Sequence, residues 1–245
     1  MQKIKLLIAF LFCVQSLFAQ NFPDSIFSQL RFRFIGPDGN RAIAVAGEPG
    51  NPMVSYVGAA SGGIFKTEDA GISWKPIFDD MDNSSIGALA IAPSSHKQVW
   101  AGTGETFLIR PAHAMGNGIY KSNDAGKTWM NMGLKATARI SKVVVHPTDS
   151  NTVYVAALGH AHGPQQERGV YKTTDGGKTW RRVLYSGNVQ AGAIDLVMEP
   201  GNPQTLYAST WHVIRTPYSL ESGGEGSALW KSTDGGETWA SLMTK

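Results

Sequence analysis

The chain has 245 residues, and its 22 basic and 19 acidic side chains give a formal net charge of +3. Because no basic cluster interrupts this near balance, we expect no nucleic-acid partner. The one cysteine, Cys13, lies close to the N-terminus, and no later stretch reaches the roughly 18 consecutive apolar residues of a membrane-spanning helix. We therefore expect no disulfide, thiolate catalysis or transmembrane segment in the mature chain, and the sequence indicates no cofactor and no metal ion.

The first part of the chain has the pattern of an export signal. Lys3 and Lys5 form a short basic region, residues 6–14 are apolar, and residues 16–19 (SLFA) end in a small residue suited to cleavage. We predict a cleavable signal peptide over residues 1–20 and a secreted or periplasmic protein. Residues 21–40 are predicted to form a lead-in strand.

One eleven-residue word recurs four times along the chain. It reads apolar, aromatic, Lys, Ser or Thr, any residue, Asp, Ala or Gly, Gly, any residue, Ser or Thr, Trp. The copies occupy residues 64–74, 119–129, 170–180 and 229–239, and their aspartates are separated by 55, 51 and 59 residues. A period of this length predicts repeated supersecondary units that bury their apolar faces by stacking on one another.

A second recurring feature precedes each copy of the word. It is a proline followed seven positions later by an aromatic residue: Pro49 and Tyr56, Pro93 and Trp100, Pro147 and Tyr154, Pro200 and Tyr207. We expect strand A of each unit to end at the proline, strand B to end near the aromatic residue, strand C to carry the aromatic-Lys pair and strand D to begin at the tryptophan. The predicted fold is all-β, a β-propeller of four-stranded antiparallel blades at about 41–80, 84–135, 138–186 and 190–243.

Four blades admit two interpretations. They close a small ring, with the alternating residues 31–34 (RFRF) pairing with the last blade, or they form an incomplete ring. We favour the incomplete ring. Its open blade edges would expose apolar surface, which makes self-association possible.

The predicted roles of the repeated word are structural. The aspartate caps the turn between strands C and D, the second small residue is a glycine that permits a positive φ, and the tryptophan packs towards a neighbouring blade. Four equivalent acids do not define one active site, and one acid per turn supplies too few oxygens for calcium. The residues with these roles are Asp69, Asp124, Asp175, Asp234, Gly71, Gly126, Gly177, Gly236, Trp74, Trp129, Trp180 and Trp239.

The loops between strands B and C differ in length from blade to blade. From the aromatic residue to the lysine they span 10, 21, 18 and 24 residues. In a propeller these loops meet at one rim of the central channel, and variable loops on a rigid scaffold are where binding usually resides. The candidate ligand-binding residues of this rim are Arg110, His113, His160, His162, Arg168, Trp211, His212, Arg215 and Tyr218.

Two pairs of rim residues carry alternative chemistry. Glu105 and Glu167 could act as the acid and base of a glycoside hydrolase, which requires a separation of roughly 5–9.5 Å between the carboxyl groups. Otherwise they are loop carboxylates paired with arginines. His160 and His162 could place two imidazoles on one side of an extended segment, but we favour hydrogen bonds to the loop backbone over a metal site.

The pattern Ser/Thr-x-Asp-x-Gly-x-x-Trp resembles the Asp-box repeat of sialidases, xyloglucanase-type glycoside hydrolases and sortilin-like receptors. Further segments are similar to secreted bacterial sortilin-like or BNR-repeat glycosyl hydrolase proteins: residues 34–37, 60–63, 102–105, 157–160 and 222–224. The resemblance implies a longer protein with six or more blades, of which this chain is an N-terminal fragment. A sialidase would also need an arginine cluster and a nucleophilic tyrosine, which the chain does not match.

These observations favour a secreted Asp-box propeller that acts as a binding or interaction module for a peptide or a glycan, as the sortilin-like resemblance implies. The first alternative is a glycoside hydrolase that uses Glu105 and Glu167. The second is a catalytically inert piece of a longer propeller protein.

Overall fold

The computed structural model describes residues 41–108 and 113–243, all within one compact unit, Ile35–Lys245. The predicted signal peptide, the predicted lead-in strand with residues 31–34, and Arg110 lie outside the described residues.

The described residues form four antiparallel sheets, each with its strands in sequence order. Blade 1 contains β1 (Ala42–Glu48), β2 (Asn51–Ala59), β3 (Ile64–Thr67) and β4 (Lys75–Pro76); blade 2 contains β5 (Ile86–Ala92), β6 (Ser95–Thr103), β7 (Ile119–Ser122) and β8 (Met130–Asn131). Blade 3 contains β9 (Ile140–Val145), β10 (Val153–Ala157), β11 (Gly169–Thr173) and β12 (Arg181–Leu184); blade 4 contains β13 (Ala191–Glu199), β14 (Asn202–Arg215), β15 (Leu220–Ser222), β16 (Ala228–Ser232) and β17 (Ala240–Ser241). Apart from one short 3₁₀ turn, Lys135–Thr137, the described residues contain strands and loops only. The predicted all-β propeller of four-stranded blades is confirmed.

The first strand of each blade lies innermost. These strands contact one another in succession, β1 with β5, β5 with β9 and β9 with β13. Each of them ends directly before the proline or one residue earlier, where a missing N–H is tolerated. The inner strands therefore surround a common axis, and the other strands of each blade extend outwards from it.

The ends of the second strands differ from the expectation. The second strands do not end near the aromatic residue: β2 continues three residues beyond Tyr56, and β6 three beyond Trp100. The reason is that these residues pair with the first and third strands on both sides, so the ladder continues. In blade 4 the strand β14 reaches Arg215, because its end pairs with the additional strand β15 in a hairpin.

Three hydrophobic clusters join neighbouring blades. Tyr56, Ile86 and Trp129 belong to the cluster between blades 1 and 2, Trp100 and Ile140 to that between blades 2 and 3. A third cluster, with Tyr154 and Leu196 fully buried, joins blades 3 and 4. Edge-to-face ring contacts occur in the first two clusters; the Trp100 and Trp180 ring centroids, for example, are 6.2 Å apart. The core of the molecule is thus a series of interfaces between blades.

The turn between the third and fourth strands has the same hydrogen bonds in every blade. In blade 2 the backbone N–H and the hydroxyl of Thr128 donate to the two carboxylate oxygens of Asp124, at 2.8 and 2.6 Å. The hydroxyl of Ser122 donates to Asp124 at 2.8 Å and accepts from the N–H of Gly126, also at 2.8 Å. The corresponding bonds occur at Asp69, Asp175 and Asp234. The aspartates therefore serve as turn caps, with every carboxylate committed to its own turn.

The other two residue types of the word also hold the turn. The glycines Gly71, Gly126, Gly177 and Gly236 have φ values of 88°, 90°, 93° and 80°. The indole N–H of Trp129 donates to Ile77 O in blade 1, and that of Trp180 donates to Met132 O in blade 2, both at 2.8 Å. Trp239 bonds Gly236 O in its own turn at 3.2 Å, and Trp74 is half-buried.

Within the part of the chain that the structure describes, no helix is long and apolar enough to cross a membrane.

Candidate functional site

A cavity of about 420 Å³ lies where the four inner strands begin. One residue from each inner strand lines it: Ile43, Gly87, Ser141 and Ile194. Each of these residues sits where the register with the second strand shifts by one, so that the inner strand bulges. The four bulges are equivalent in the repeat, and together they form the floor of one cavity.

The loops between the second and third strands supply the walls. Thr106, Phe107 and Leu108 follow β6, whereas Trp211 and Leu220 come from β14 and β15. These are the loops whose lengths vary along the sequence. The cavity, which we call the rim pocket, therefore lies on the face that the sequence predicts to carry a ligand.

The rim pocket has an apolar lining. Among the described residues that line it, the only side chains with hydroxyl groups are Thr106 and Ser141, and none carries an ionisable group. The Ser141 hydroxyl donates to Ala193 O at 2.9 Å, so it already has a partner. The Trp211 indole N–H donates to the Ser222 hydroxyl at 3.1 Å, which orients the ring. The lining suits an apolar or aromatic group of a ligand.

Gly87 has no room for a side chain. A Cβ at this position would lie 2.3 Å from Ile140 O and 2.4 Å from Gly104 O. The glycine is therefore needed for the close approach of blades 2 and 3 beneath the pocket. Leu108 of the pocket wall also belongs to a small buried cluster with Leu158 and Val213, against which Trp211 packs.

Arg139 fastens two of the rim loops together. Its buried guanidinium donates to Glu105 O at 2.9 Å, to Gly159 O at 3.2 Å and to His113 Nδ1 at 2.8 Å. Burial lowers the pKa of Arg139 to about 10, so it remains a cation at neutral pH. Sequence reasoning missed this residue. The sequence feature that could have identified it is its repeat position: Arg139 and Arg41 both stand two positions before the bulge residue of their inner strand.

Two of the predicted histidines lie side by side. The ring centroids of His113 and His162 are 5.0 Å apart. Because Arg139 can only donate, His113 Nδ1 accepts and the ring is neutral; burial, and then the charge of Arg139, hold its pKa below the usual range. His162 Nδ1 lies 2.5 Å from Arg215 O and donates to it. The pair thus joins the loop of blade 2 to the end of β14.

His160 and Arg168 hold the loop of blade 3. The side chain of Arg168 is fully buried, and it donates to Leu158 O at 2.7 Å, to Gly163 O at 3.0 Å and also to His160 O. Burial lowers the pKa of Arg168 to about 10. Burial, and then the charge of Arg139, lower the pKa of His160. Arg168 is committed to the loop backbone and is not presented to a ligand.

The remaining rim candidates belong to blade 4. His212 is buried, with Nδ1 3.1 Å from Glu225 O and Nε2 3.3 Å from Glu221 Oε1. Arg215 donates to Ser219 O at 2.8 Å. Tyr218 is 91% exposed and does not line the rim pocket. Of the predicted rim residues that the structure describes, Trp211 is the one in the pocket lining.

The two candidate carboxylates have different surroundings. Glu105 is buried, its side chain forms an ion pair with Arg41, and its backbone carbonyl accepts from Arg139. Glu167 is exposed to solvent. Neither carboxylate lines the rim pocket.

Two other concavities are less suited to ligands. A groove of about 250 Å³ between the Asp-box turns of blades 1 and 2 is lined largely by charged side chains, several of which already have partners; Asp69, for example, caps its turn, and Lys66 donates to Glu68 at 2.7 Å. A smaller polar hollow lies near Tyr120 and Asn131. Nowhere in the described ranges do three or more His, Cys, Asp or Glu side chains form a group able to hold a metal ion.

Comparison with known proteins identifies relatives of this architecture. The family model described as sortilin, neurotensin receptor 3 (Sortilin-Vps10) matches residues 117–245. Among curated proteins, a xyloglucanase of a Paenibacillus species is 25% identical over 209 residues, which cover 76% of this chain and 19% of the relative. An oligoxyloglucan-reducing end-specific xyloglucanase of Emericella nidulans is 32% identical over 144 residues, covering 57% of this chain and 15% of the relative.

Solved structures show the same fold. An ancestral GH74 enzyme superposes with a TM-score of 0.62 at 22% identity, covering 86% of this chain and 26% of that one. The chain thus spans about a quarter or less of the length of these relatives.

Proposed function

The chain belongs to the sortilin-Vps10 family, and from that premise we propose that it is a binding module for peptides, with the rim pocket as the site that receives an apolar or aromatic side chain of the ligand. The observation that carries the proposal is the pocket lining. Phe107, Trp211, Leu108 and Leu220 surround a floor of strand bulges, and no ionisable side chain of the described residues takes part.

The size and the chemistry of the pocket support a side chain as its occupant. A volume of about 420 Å³ lies in the range of small-ligand sites and leaves room for one large side chain and its backbone. Phe107 and Leu220 are 52% and 45% exposed, so ligand binding would remove apolar surface from water at each of them. Hydrophobic burial is therefore the main expected source of affinity.

The hydrogen bonds around the pocket support a preformed site. Arg139 links the loops of blades 2 and 3, and His162 links the loop of blade 3 to the end of β14. Loops that are held before binding lose less conformational entropy when the ligand arrives. In this proposal the buried cations are positioning residues for the pocket walls and do not touch the ligand.

A displayed random-peptide library, selected on the purified chain, tests the proposal. We expect the selected peptides to share an aromatic or large aliphatic residue, and Trp211→Ala and Phe107→Ala each to weaken the affinity of a selected peptide at least tenfold in calorimetry. Phe107 is half exposed, so its variant keeps the test valid if Trp211→Ala folds poorly. Tyr218→Ala is the matched control, which should leave affinity unchanged. Equal affinity for all four proteins would contradict the proposal.

A glycan ligand or glycoside hydrolysis is the second candidate. It is favoured by the curated relatives, which are xyloglucanases. Under this alternative Glu105 and Glu167 are the acid and base, although burial and the ion pair with Arg41 leave Glu105 poorly placed for substrate. Release of reducing ends from xyloglucan, abolished by Glu105→Gln or Glu167→Gln, would establish it. If the chain shows no peptide binding and no turnover, that result would support the alternative that it is an inert piece of a longer propeller.

We also propose that the chain is exported through its first 20 residues. The basic and apolar regions at the N-terminus support this. N-terminal sequencing of the protein from the culture medium or periplasm should begin near Gln20 or Asn21, and an uncleaved cytoplasmic protein would contradict it.

A further inference from the structure

The floor of the rim pocket is uneven in its chemistry. Four equivalent bulge residues form it, one from each blade: Ile43, Gly87, Ser141 and Ile194. Three of them have no polar side-chain atom, whereas Ser141 of blade 3 carries a hydroxyl group. Blade 3 therefore contributes one hydrogen-bonding side chain to a floor whose other side chains are apolar or absent.

The partners of Ser141 determine which kind of hydrogen bond it can make with a ligand. Its Oγ lies 2.9 Å from Ala193 O of blade 4 and 3.2 Å from Ala156 O of its own blade. Both partners are carbonyl oxygens, which only accept, so the single hydroxyl proton is directed to one of them. A hydroxyl oxygen also has two lone pairs, so Oγ can still accept a bond. Ser141 thus offers a ligand an acceptor and no donor.

The other hydroxyl group of the described lining belongs to Thr106 in the wall. The Thr106 atom beside the floor is its methyl carbon Cγ2, which lies 3.1 Å from the position that a Cβ would take at Gly87. Thr106 therefore turns its methyl group towards the floor. A ligand group that reaches the floor meets the acceptor of Ser141 among apolar side chains.

The charges around the pocket exclude a cationic donor. A lysine or arginine of a ligand also donates hydrogen bonds, but none of the described lining residues carries a carboxylate. The carboxylate closest along the wall loop is that of Glu105, and it is buried in an ion pair with Arg41. A cation in the pocket would lose its water without gaining a counter-charge, which is strongly unfavourable. The donor of the ligand must therefore be neutral.

The apolar walls determine the rest of the ligand group. Phe107, Leu108, Trp211 and Leu220 surround a volume of about 420 Å³, which suits an aromatic ring. Tyrosine has an apolar ring with its O–H at the far tip, so the ring contacts the walls when the tip reaches the floor. The indole N–H of tryptophan stands at the side of its ring system, and phenylalanine has no donor. Among neutral side chains, tyrosine therefore matches both the walls and the floor.

We infer that the rim pocket is selective for tyrosine and that Ser141 determines this specificity; the inference rests on the proposed peptide-binding function. The tyrosine ring packs against Trp211 and Phe107, and its O–H donates to Ser141 Oγ, whose own proton stays directed at a backbone carbonyl. The bond from Ser141 to Ala193 O of blade 4 holds the acceptor in place before the ligand arrives, which lowers the entropic cost of binding.

Peptides that differ only at the anchor position test the selectivity. A peptide selected on the chain, whose affinity depends on Trp211, is synthesised with tyrosine, phenylalanine or tryptophan at that position, and each affinity is measured by calorimetry. We expect the tyrosine peptide to bind roughly threefold to tenfold more tightly than the phenylalanine peptide, the range that one added hydrogen bond gives. The tryptophan peptide should bind less tightly than the tyrosine peptide. This comparison uses the natural chain, so it does not depend on the folding of a variant.

Three variants assign the preference to Ser141. Ser141→Ala should remove the preference by weakening the tyrosine peptide alone, and an unchanged affinity for the phenylalanine peptide shows that its pocket is intact. Ser141→Thr keeps a hydroxyl group and should keep the preference. Thr106→Val is the matched control, because it removes the other hydroxyl group of the lining at equal size and should leave the ratio of the two affinities unchanged.

Three results would overturn the selectivity for tyrosine while leaving peptide binding in place. They are equal affinities of the tyrosine and phenylalanine peptides for the natural chain, a tryptophan peptide that binds more tightly than the tyrosine peptide, and a preference that survives Ser141→Ala. In each of them binding still depends on Trp211. A natural chain that binds no peptide in a Trp211-dependent manner contradicts the proposed function and, with it, the role of Ser141.

Discussion

Replacing Ile119 with alanine measures how much one interface between blades contributes to stability. Ile119 is fully buried between blades 2 and 3, and the substitution removes three carbon groups. At about 0.8 kcal/mol per buried group the lost transfer free energy is about 2.4 kcal/mol, and the cavity raises the expected loss of unfolding free energy to about 3–4 kcal/mol. Leu229 occupies the same repeat position but is 42% exposed, so Leu229→Ala should lose only about 1 kcal/mol.

Equilibrium unfolding in urea, followed by tryptophan fluorescence, gives both values. For Ile119→Ala we expect the midpoint to fall by about 1 M or more. Equal losses for the two variants would refute the reasoning, because the interfaces between blades would then not be the source of stability.

Three further predictions concern the turns and the rim. Gly177→Ala should lose about 1–3 kcal/mol, because the new Cβ adds a clash with a neighbouring indole to the strain of a positive φ; Gly187→Ala, with an open surrounding, should lose less in the same thermal unfolding assay. Arg139→Gln should cost about 3 kcal/mol and raise the pKa of His113 in an NMR titration, since a neighbouring cation is removed; an unchanged pKa would contradict the network. Hydrogen bonds from its own turn hold the pKa of Asp124 at about 2, below the value near 4 of an unfolded chain, so its contribution to stability is present above pH 4 and is lost as the pH falls towards 2. Asp124→Asn should flatten that dependence, and identical acid unfolding curves would contradict it.

The fold was predictable because each copy of the repeat specifies the turn and strands of one blade. Each copy of the word contains its own hydrogen-bonding partners, so the local sequence around Asp124 is sufficient to specify the turn. The bounds of the inner strands followed from the prolines for the same local reason. The length of β14 was not predictable, because its end is set by pairing with β15, and that hairpin has no counterpart in the other blades.

The variable loops of the sequence predict the face on which the cavity lies, but of the residues predicted for that face and described in the structure only Trp211 lines it. The loop lengths along the sequence indicate the face on which the cavity lies. Ionisable residues of these loops, such as Arg168, are buried in the protein and do not line the cavity. The cavity floor consists of bulge residues such as Ile43 and Ile194, which are apolar in sequence and become recognisable only when the strand registers are known. Apart from Trp211, the residues that line the pocket therefore carry no side-chain chemistry that marks them in the sequence.

The indole N–H signal of Trp211 in a nitrogen-15 NMR spectrum tests the central claim most directly, that ligands bind in the rim pocket. The signal is assigned as the one missing from Trp211→Phe, and a selected peptide is added in steps. The account predicts that this signal shifts and saturates at one peptide per chain, while the indole signals of Trp129 and Trp180, which lie between blades, remain in place. A peptide that binds without moving the Trp211 signal would contradict the account.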